Sequence, residues 1–167
     1  MAILNDLRLL LIGLWLGASV YFSSVVAPSV FSVLRAFLLP NVAEIAGTLV
    51  TRTLSVVNVS GFIISLLLLV SAFAFGKGVG SRSFFLELAS LIVVAVTTGI
   101  GHWVIAARMR ALRVAMVLPV DQIAIDDSRR VAFNRLHGYS VTALSIAMIA
   151  ALIAFLIIAY RARLNTN

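Results

Sequence analysis

The sequence predicts an all-α integral membrane protein, a four-helix bundle whose helices extend beyond the bilayer on one side. Three observations carry that prediction. No charged residue occurs between Arg8 and Arg35, between Arg52 and Lys77, or between Arg135 and Arg161, and only Glu87 interrupts the stretch from Arg82 to Arg108. Each stretch meets the roughly 20 apolar helical residues that cross a hydrocarbon core about 30 Å thick. The runs lack the short alternating strands of a membrane barrel, and because lipid cannot satisfy an open backbone they must be helical. Finally, with 167 residues, 62% of them hydrophobic, and mean hydropathy +1.14, residues 1–167 hold a single bundle with short connections and no separate soluble domain.

The first helix is expected from Asp6 to Ala36, with Pro28 bending it by freeing a carbonyl one turn earlier. Arg8 ahead of an apolar run resembles a secretion signal, but the run continues to Phe31 with no clear small-x-small site before Pro28. Pro40, Asn41 as N-cap and Glu44 three residues on mark the start of the second helix, a variant of the capping box. It runs to about Phe75 and ends at Gly76-Lys77-Gly78-Val79-Gly80. The third helix starts near Ser81 or Ser83 and continues past Arg108 until Pro119, and the fourth runs from Asp126 or Asp127 to about Arg163. The excess length of the second, third and fourth helices falls on one side, where the bundle should protrude by two or three turns.

The net charge of +7 would ordinarily raise nucleic acid as a partner. Here twelve of the thirteen basic residues are Arg, placed mainly at helix ends and in the third loop, and they lack the dense basic face of a nucleic-acid binder. Membrane lipid is the expected partner, and no nucleic acid is. Basic residues flank both sides of the spans, which leaves the orientation open. The acids Asp121, Asp126 and Asp127 read as surface ion-pair partners for the nearby arginines. Without cysteine there is no disulfide, thiolate metal site or cysteine nucleophile, so a metal must use His, Met, carboxylate or backbone oxygen. There is no G-x-S-x-G, Walker, H-E-x-x-H or C-x-x-C pattern, and hydrolase, nucleotide and zinc-protease chemistry lack support.

Polar residues inside a membrane normally face the bundle interior, which singles out one layer. His102 on the third helix and His137 on the fourth fall at similar depth, with Asn58 on the second helix and Pro28 on the first near the same level. His102 and His137 are the candidate cofactor-binding pair, and His102, His137, Met109 and Asn58 the candidate metal set. The bland alternatives are a histidine satisfied by a neighbouring hydroxyl, with Thr98 four residues before His102 as the ready partner, and Asn58 as interhelical glue. Gly99 and Gly101 leave a flat surface beside His102 that a macrocycle could approach. Glu87, on the opposite side, reads as a snorkelling interfacial acid. The Gly13-x3-Gly17 pair reads as a packing surface, within the bundle or in a dimer, and Trp15, Gly17, Pro28 and Phe31 should face other helices.

Two segments together resemble a known family. They are Trp15-x-Gly17-x3-Tyr21-Phe22-x5-Pro28-x2-Phe31 on the first helix and Phe133-x2-Leu136-His137-x2-Ser140 on the fourth. This pattern resembles the bacterial four-helix membrane family filed as the domain of unknown function numbered 4149, akin to transmembrane protein 205 and more distantly to CopD-type copper-resistance proteins. The resemblance implies the inner (cytoplasmic) membrane of a bacterium. Its wider relatives handle copper or bind haem as protoporphyrinogen oxidases. Those oxidases use a histidine of their first helix, which this chain lacks, and only His137 carries over by position. Two expectations follow: a membrane protein binding copper or haem b through intramembrane histidines, or a cofactor-free structural or accessory subunit of a homo-oligomer or larger membrane complex.

Overall fold

In a computed structural model, which describes residues 2–37, 41–75, 81–116 and 118–164, all regular structure is helical. Four helices are long and apolar enough to span a membrane. The first is α-helical over Ala2–Tyr21, π-helical over Phe22–Val26 and α-helical again over Ala27–Ala36. The second is Val42–Phe75. The third combines Arg82–Gly99, a π-helical stretch Ile100–Ile105 and Ala106–Met116, and the fourth is Ser128–Leu164. The third helix packs along the second and fourth, and the first closes the ring against the same two neighbours.

The helices continue, as expected, past the ends of their apolar runs. The third helix passes Arg108 and reaches Met116, and Pro119 then diverts the chain into a short 3-10 turn, Val120–Gln122. A second small core of Met109, Met116, Ile123 and Phe133 consolidates this tip. The fourth helix starts as expected at an acid: the Asp127 carboxylate accepts from the Arg129 amide at 2.8 Å, satisfying one of the free amides of the first turn. The Asp127 carboxylate also pairs with the Arg129 guanidinium at 2.7 Å, as the loop acids were expected to.

At the second helix the cap differs from expectation. Asn41 adopts a left-handed backbone (φ 61), and its carbonyl accepts from the Glu44 and Ile45 amides at 3.1 Å each. Its side chain is spent elsewhere, accepting from Gln122 Nε2 at 3.2 Å, so the loop after the third helix is tied to the start of the second. Pro40 and the glycine-rich stretch 76–80 lie outside the described residues.

Polarity is distributed as in a membrane protein. Leu14, Ile63, Leu67, Val70, Ile149 and Leu156 face outward, while Ser19, Asn58, Ser65, Glu87 and Thr98 are buried. The serine and threonine hydroxyls mostly donate to carbonyls three or four residues back on their own helix, as Ser19 does to Trp15 O at 2.8 Å. The fourth helix meets the bundle through a stripe of Ala147, Ala150, Ala151 and Ala154, small enough for backbones to approach closely. Gly17 does not do this: it is exposed, and a Cβ there would meet nothing within 4 Å. Trp15 is buried as expected.

Glu87 is corrected most sharply. It is fully buried, and its two carboxylate oxygens are taken by Arg8 of the first helix and by Arg161 of the fourth, the latter at 2.6 Å. It sits on the inward stripe of Phe84, Glu87, Leu88, Leu91 and Val94, whose three- and four-residue spacing defines one helix face. That face leaves the carboxylate no route to snorkel to water, and arginines from two other helices meet it instead.

Candidate functional site

The two π-helical stretches shape the interior. In the first helix the Ala27 amide bonds Phe22 O, one residue further back than in an α-helix, just before Pro28, which has no amide to donate. In the third, the Ala106 amide bonds Gly101 O in the same way, and this widened turn carries Gly101, His102 and Trp103.

His102 is a partly buried residue whose Nδ1 lies 3.0 Å from Ser55 Oγ of the second helix, with its ring edge-on to Trp103. Thr98 is not its partner, because that hydroxyl donates to its own helix at Val94 O, 2.6 Å away. The glycine surface beside His102 is also filled. A Cβ at Gly101 would lie 3.0 Å from the Asn58 amide, and one at Gly99 would lie 3.4 Å from the Phe62 ring. Side chains of the second helix therefore occupy the space that a macrocycle was expected to approach.

His137 lies in a different setting. It is exposed and lines two adjoining cavities. The lower one, about 330 Å³, lies between the first, second and fourth helices, bounded by Phe22, Pro28, Leu54, Leu144 and Met148, and is almost wholly apolar. The upper one, about 270 Å³, lies within the protruding tip, where Glu44, Thr51, Arg113, Arg130, Asn134 and His137 supply polar groups. Phe31, Val50 and His137 line both. Of the sequence candidates, Met109 and His137 share the upper cavity, whereas His102 and Asn58 line neither.

Sequence reasoning missed Arg113 and Arg130 as site residues and treated them as surface charge. Arg113 is partly buried, with its guanidinium 5.3 Å from the Phe133 ring centroid and Nη1 3.5 Å from Thr48 Oγ1. Gly47 makes room for it: a Cβ there would lie 2.7 Å from Nη2. Arg130 donates to Ile123 O. Neither makes a salt bridge among the described residues. The signal that could have found them was the concentration of arginines on helical turns beyond the apolar runs. Outside the cavity, the guanidinium and amide of Arg129 hold the Asp127 carboxyl down to about 2.

The family described as Domain of unknown function (DUF4149) matches residues 10–117. The chain belongs to this family. The match covers the first three helices, and it accords with the resemblance drawn from the first-helix motif. For this DUF4149 member no curated protein and no solved structure matches. The family assignment carries no activity. Among the described residues, no group of three or more His, Asp or Glu side chains is placed to hold a metal ion. Of the expected donors, His137 and Met109 line the upper cavity, where the Glu44 carboxylate joins them.

Proposed function

We propose that this integral membrane protein binds an amphipathic molecule taken from the bilayer, holding it in the cleft bounded by the first, second and fourth helices. One observation carries the reading: an apolar chamber adjoins a second, also mostly apolar, chamber that carries charged and polar groups, called the polar chamber for these groups, and the two share Phe31, Val50 and His137. The apolar chamber follows the fourth helix from His137 to Met148, a rise of roughly 16 Å. That length matches an extended hydrocarbon body, and the polar chamber beyond it lies on the turns outside the hydrocarbon. Ligand sites of this kind are mostly apolar with a few placed polar groups, as here. The cytoplasmic membrane of a bacterium is the compartment that the helical spans and the motif resemblance support.

The test is native mass spectrometry of the protein released gently from detergent. Wild type is expected to retain one lipid-sized adduct, and Ala27→Leu, which adds bulk inside the apolar chamber, to lose it without losing the fold. A wild-type spectrum with no adduct from any membrane extract would sink the reading in favour of an accessory subunit acting through helix packing alone.

A second reading is favoured by a single fact, the shared position of Met109 and His137 on the upper cavity. An imidazole and a thioether are donors suited to copper(I) or to haem iron. A bound metal would supply redox or metal-transfer chemistry, while the chain would position it through His137 and Met109 and shield it with Phe31 and Phe133. A Soret band or a copper signal abolished by His137→Ala supports this reading; its absence from protein made in metal- and haem-replete cells removes it.

A further inference from the structure

We infer that the polar chamber is a phosphate-recognition site, and that the amphiphile held in the cleft is an anionic phospholipid whose head is read by Arg113 and Arg130. The inference rests on the cleft reading and adds the chemical class of the ligand.

Charge balance supports it. The polar groups on the chamber are Arg113, Arg130, His137, Thr51, Asn134 and one acid, Glu44, so two permanent cations face one carboxylate. Both guanidinium groups are committed only in part. Arg113 reaches a threonine hydroxyl and an aromatic face, Arg130 a backbone carbonyl, and no carboxylate lies within salt-bridge distance of either among the described residues. Glu44 acts on the Arg113 guanidinium electrostatically from beyond salt-bridge distance, which leaves the chamber with one cation in excess and favours an incoming anion. The planar guanidinium fork matches phosphate oxygens in a way that a lysine ammonium does not.

Position supports it as well. Arg113 lies five residues beyond Arg108, past the apolar part of its helix, and so at the level where phospholipid phosphates sit. A lipid with its chains in the lower chamber presents its head at this height without leaving the membrane. Gly47 is a further sign of a built site. A larger residue there would displace the Arg113 guanidinium, whose Nη2 would be only 2.7 Å from the added Cβ, and the glycine keeps it seated against the chamber wall.

The experiment compares delipidated protein in a neutral detergent, titrated by native mass spectrometry with phosphatidylglycerol, with diacylglycerol of the same chains, and with inorganic phosphate. Phosphatidylglycerol should bind on the order of tenfold or more tightly than diacylglycerol, and Arg113→Gln and Arg130→Gln should each remove about that factor. Arg113→Lys should restore part of it. Gly47→Ala, which moves only the end of a flexible side chain, should weaken binding several-fold while the melting temperature holds, separating recognition from folding. Equal binding of diacylglycerol and phosphatidylglycerol overturns the phosphate assignment and leaves the cleft reading standing. Failure of both lipids to bind overturns the cleft reading and this inference with it. Displacement of the lipid by inorganic phosphate at equal concentration would mean a site for the free ion, and would overturn the lipid assignment.

Discussion

The Trp15 indole occupies the space that a side chain at Gly61 would fill. A Cβ at Gly61 would lie 2.6 Å from the ring, and the indole Nε1 donates to Val57 O at 2.9 Å, one turn earlier on the same helix. The first and second helices are thus joined by a knob, a glycine hole and a hydrogen bond at one level. Gly61→Ala should destabilise the fold by about 1–3 kcal/mol, since neither the ring nor the helix backbone can yield cheaply. Thermal unfolding in detergent measures it, and an unchanged midpoint would mean that the ring shifts freely.

Glu87 bridges three helices through Arg8 and Arg161. Glu87→Gln removes the counter-charge of the buried Arg8 guanidinium and one partner of the part-buried Arg161, and should cost about 3–5 kcal/mol, the usual penalty for removing one partner of a buried ion pair. Denaturant unfolding gives the value. A loss below 1 kcal/mol would place this cluster in water.

Asp127 gives the pH response. Its folded carboxyl lies at about 2, below its ordinary 3.8, because Arg129 holds the charged form. Between those values the unfolded chain binds more protons than the folded one, so stability rises with pH there. The contribution is complete above about 3.8 and fades as pH falls toward 2. Carboxyl titration followed by NMR should find the low value in wild type and a return toward the ordinary one in Arg129→Gln.

Asn41 holds a left-handed backbone conformation that asparagine and glycine tolerate best. Asn41→Gly should change stability by a few tenths of a kcal/mol, losing only the bond to Gln122, whereas Asn41→Val should cost about 1–2 kcal/mol. Comparable melting temperatures for the two variants would show that the strain is relieved by the neighbouring turn.

The two histidines should separate by phenotype. His102→Ala removes the contact to Ser55 and should lower the melting temperature while the retained ligand is unchanged. His137→Ala should alter ligand retention with little effect on melting, because the residue is exposed and lines the cavities. Matching effects of both substitutions on retention would return them to one joint site.

The spans, the protruding tip, the Pro119 stop and the acidic start of the fourth helix were legible because charge and backbone-breaking residues act locally. What was not legible depends on which way a helix turns. Glu87 looked interfacial because its partners lie far away in the sequence. Gly17 belonged to a recognisable pair but faces outward, while Gly47 and Gly61, in no pattern, make room for Arg113 and Trp15. Thr98 had the right spacing for His102, yet its hydroxyl bonds to its own helix, a choice open to any threonine in an apolar segment. The apolar cavity arises where three helices part beside the π-helical turn of the first, and no single segment records such a gap.

The Glu87 cluster also imposes an order on biogenesis. Arg8 precedes the acid by 79 residues and Arg161 follows it by 74, so a ribosome working from the amino end delivers the first arginine long before the acid and the second long after it. When the third helix partitions into the bilayer, its carboxylate can already be neutralised by the first helix, which lowers the cost of inserting a charged span. The second arginine arrives only with the final crossing. The arrival of the last helix occupies the second carboxylate oxygen and closes the ring.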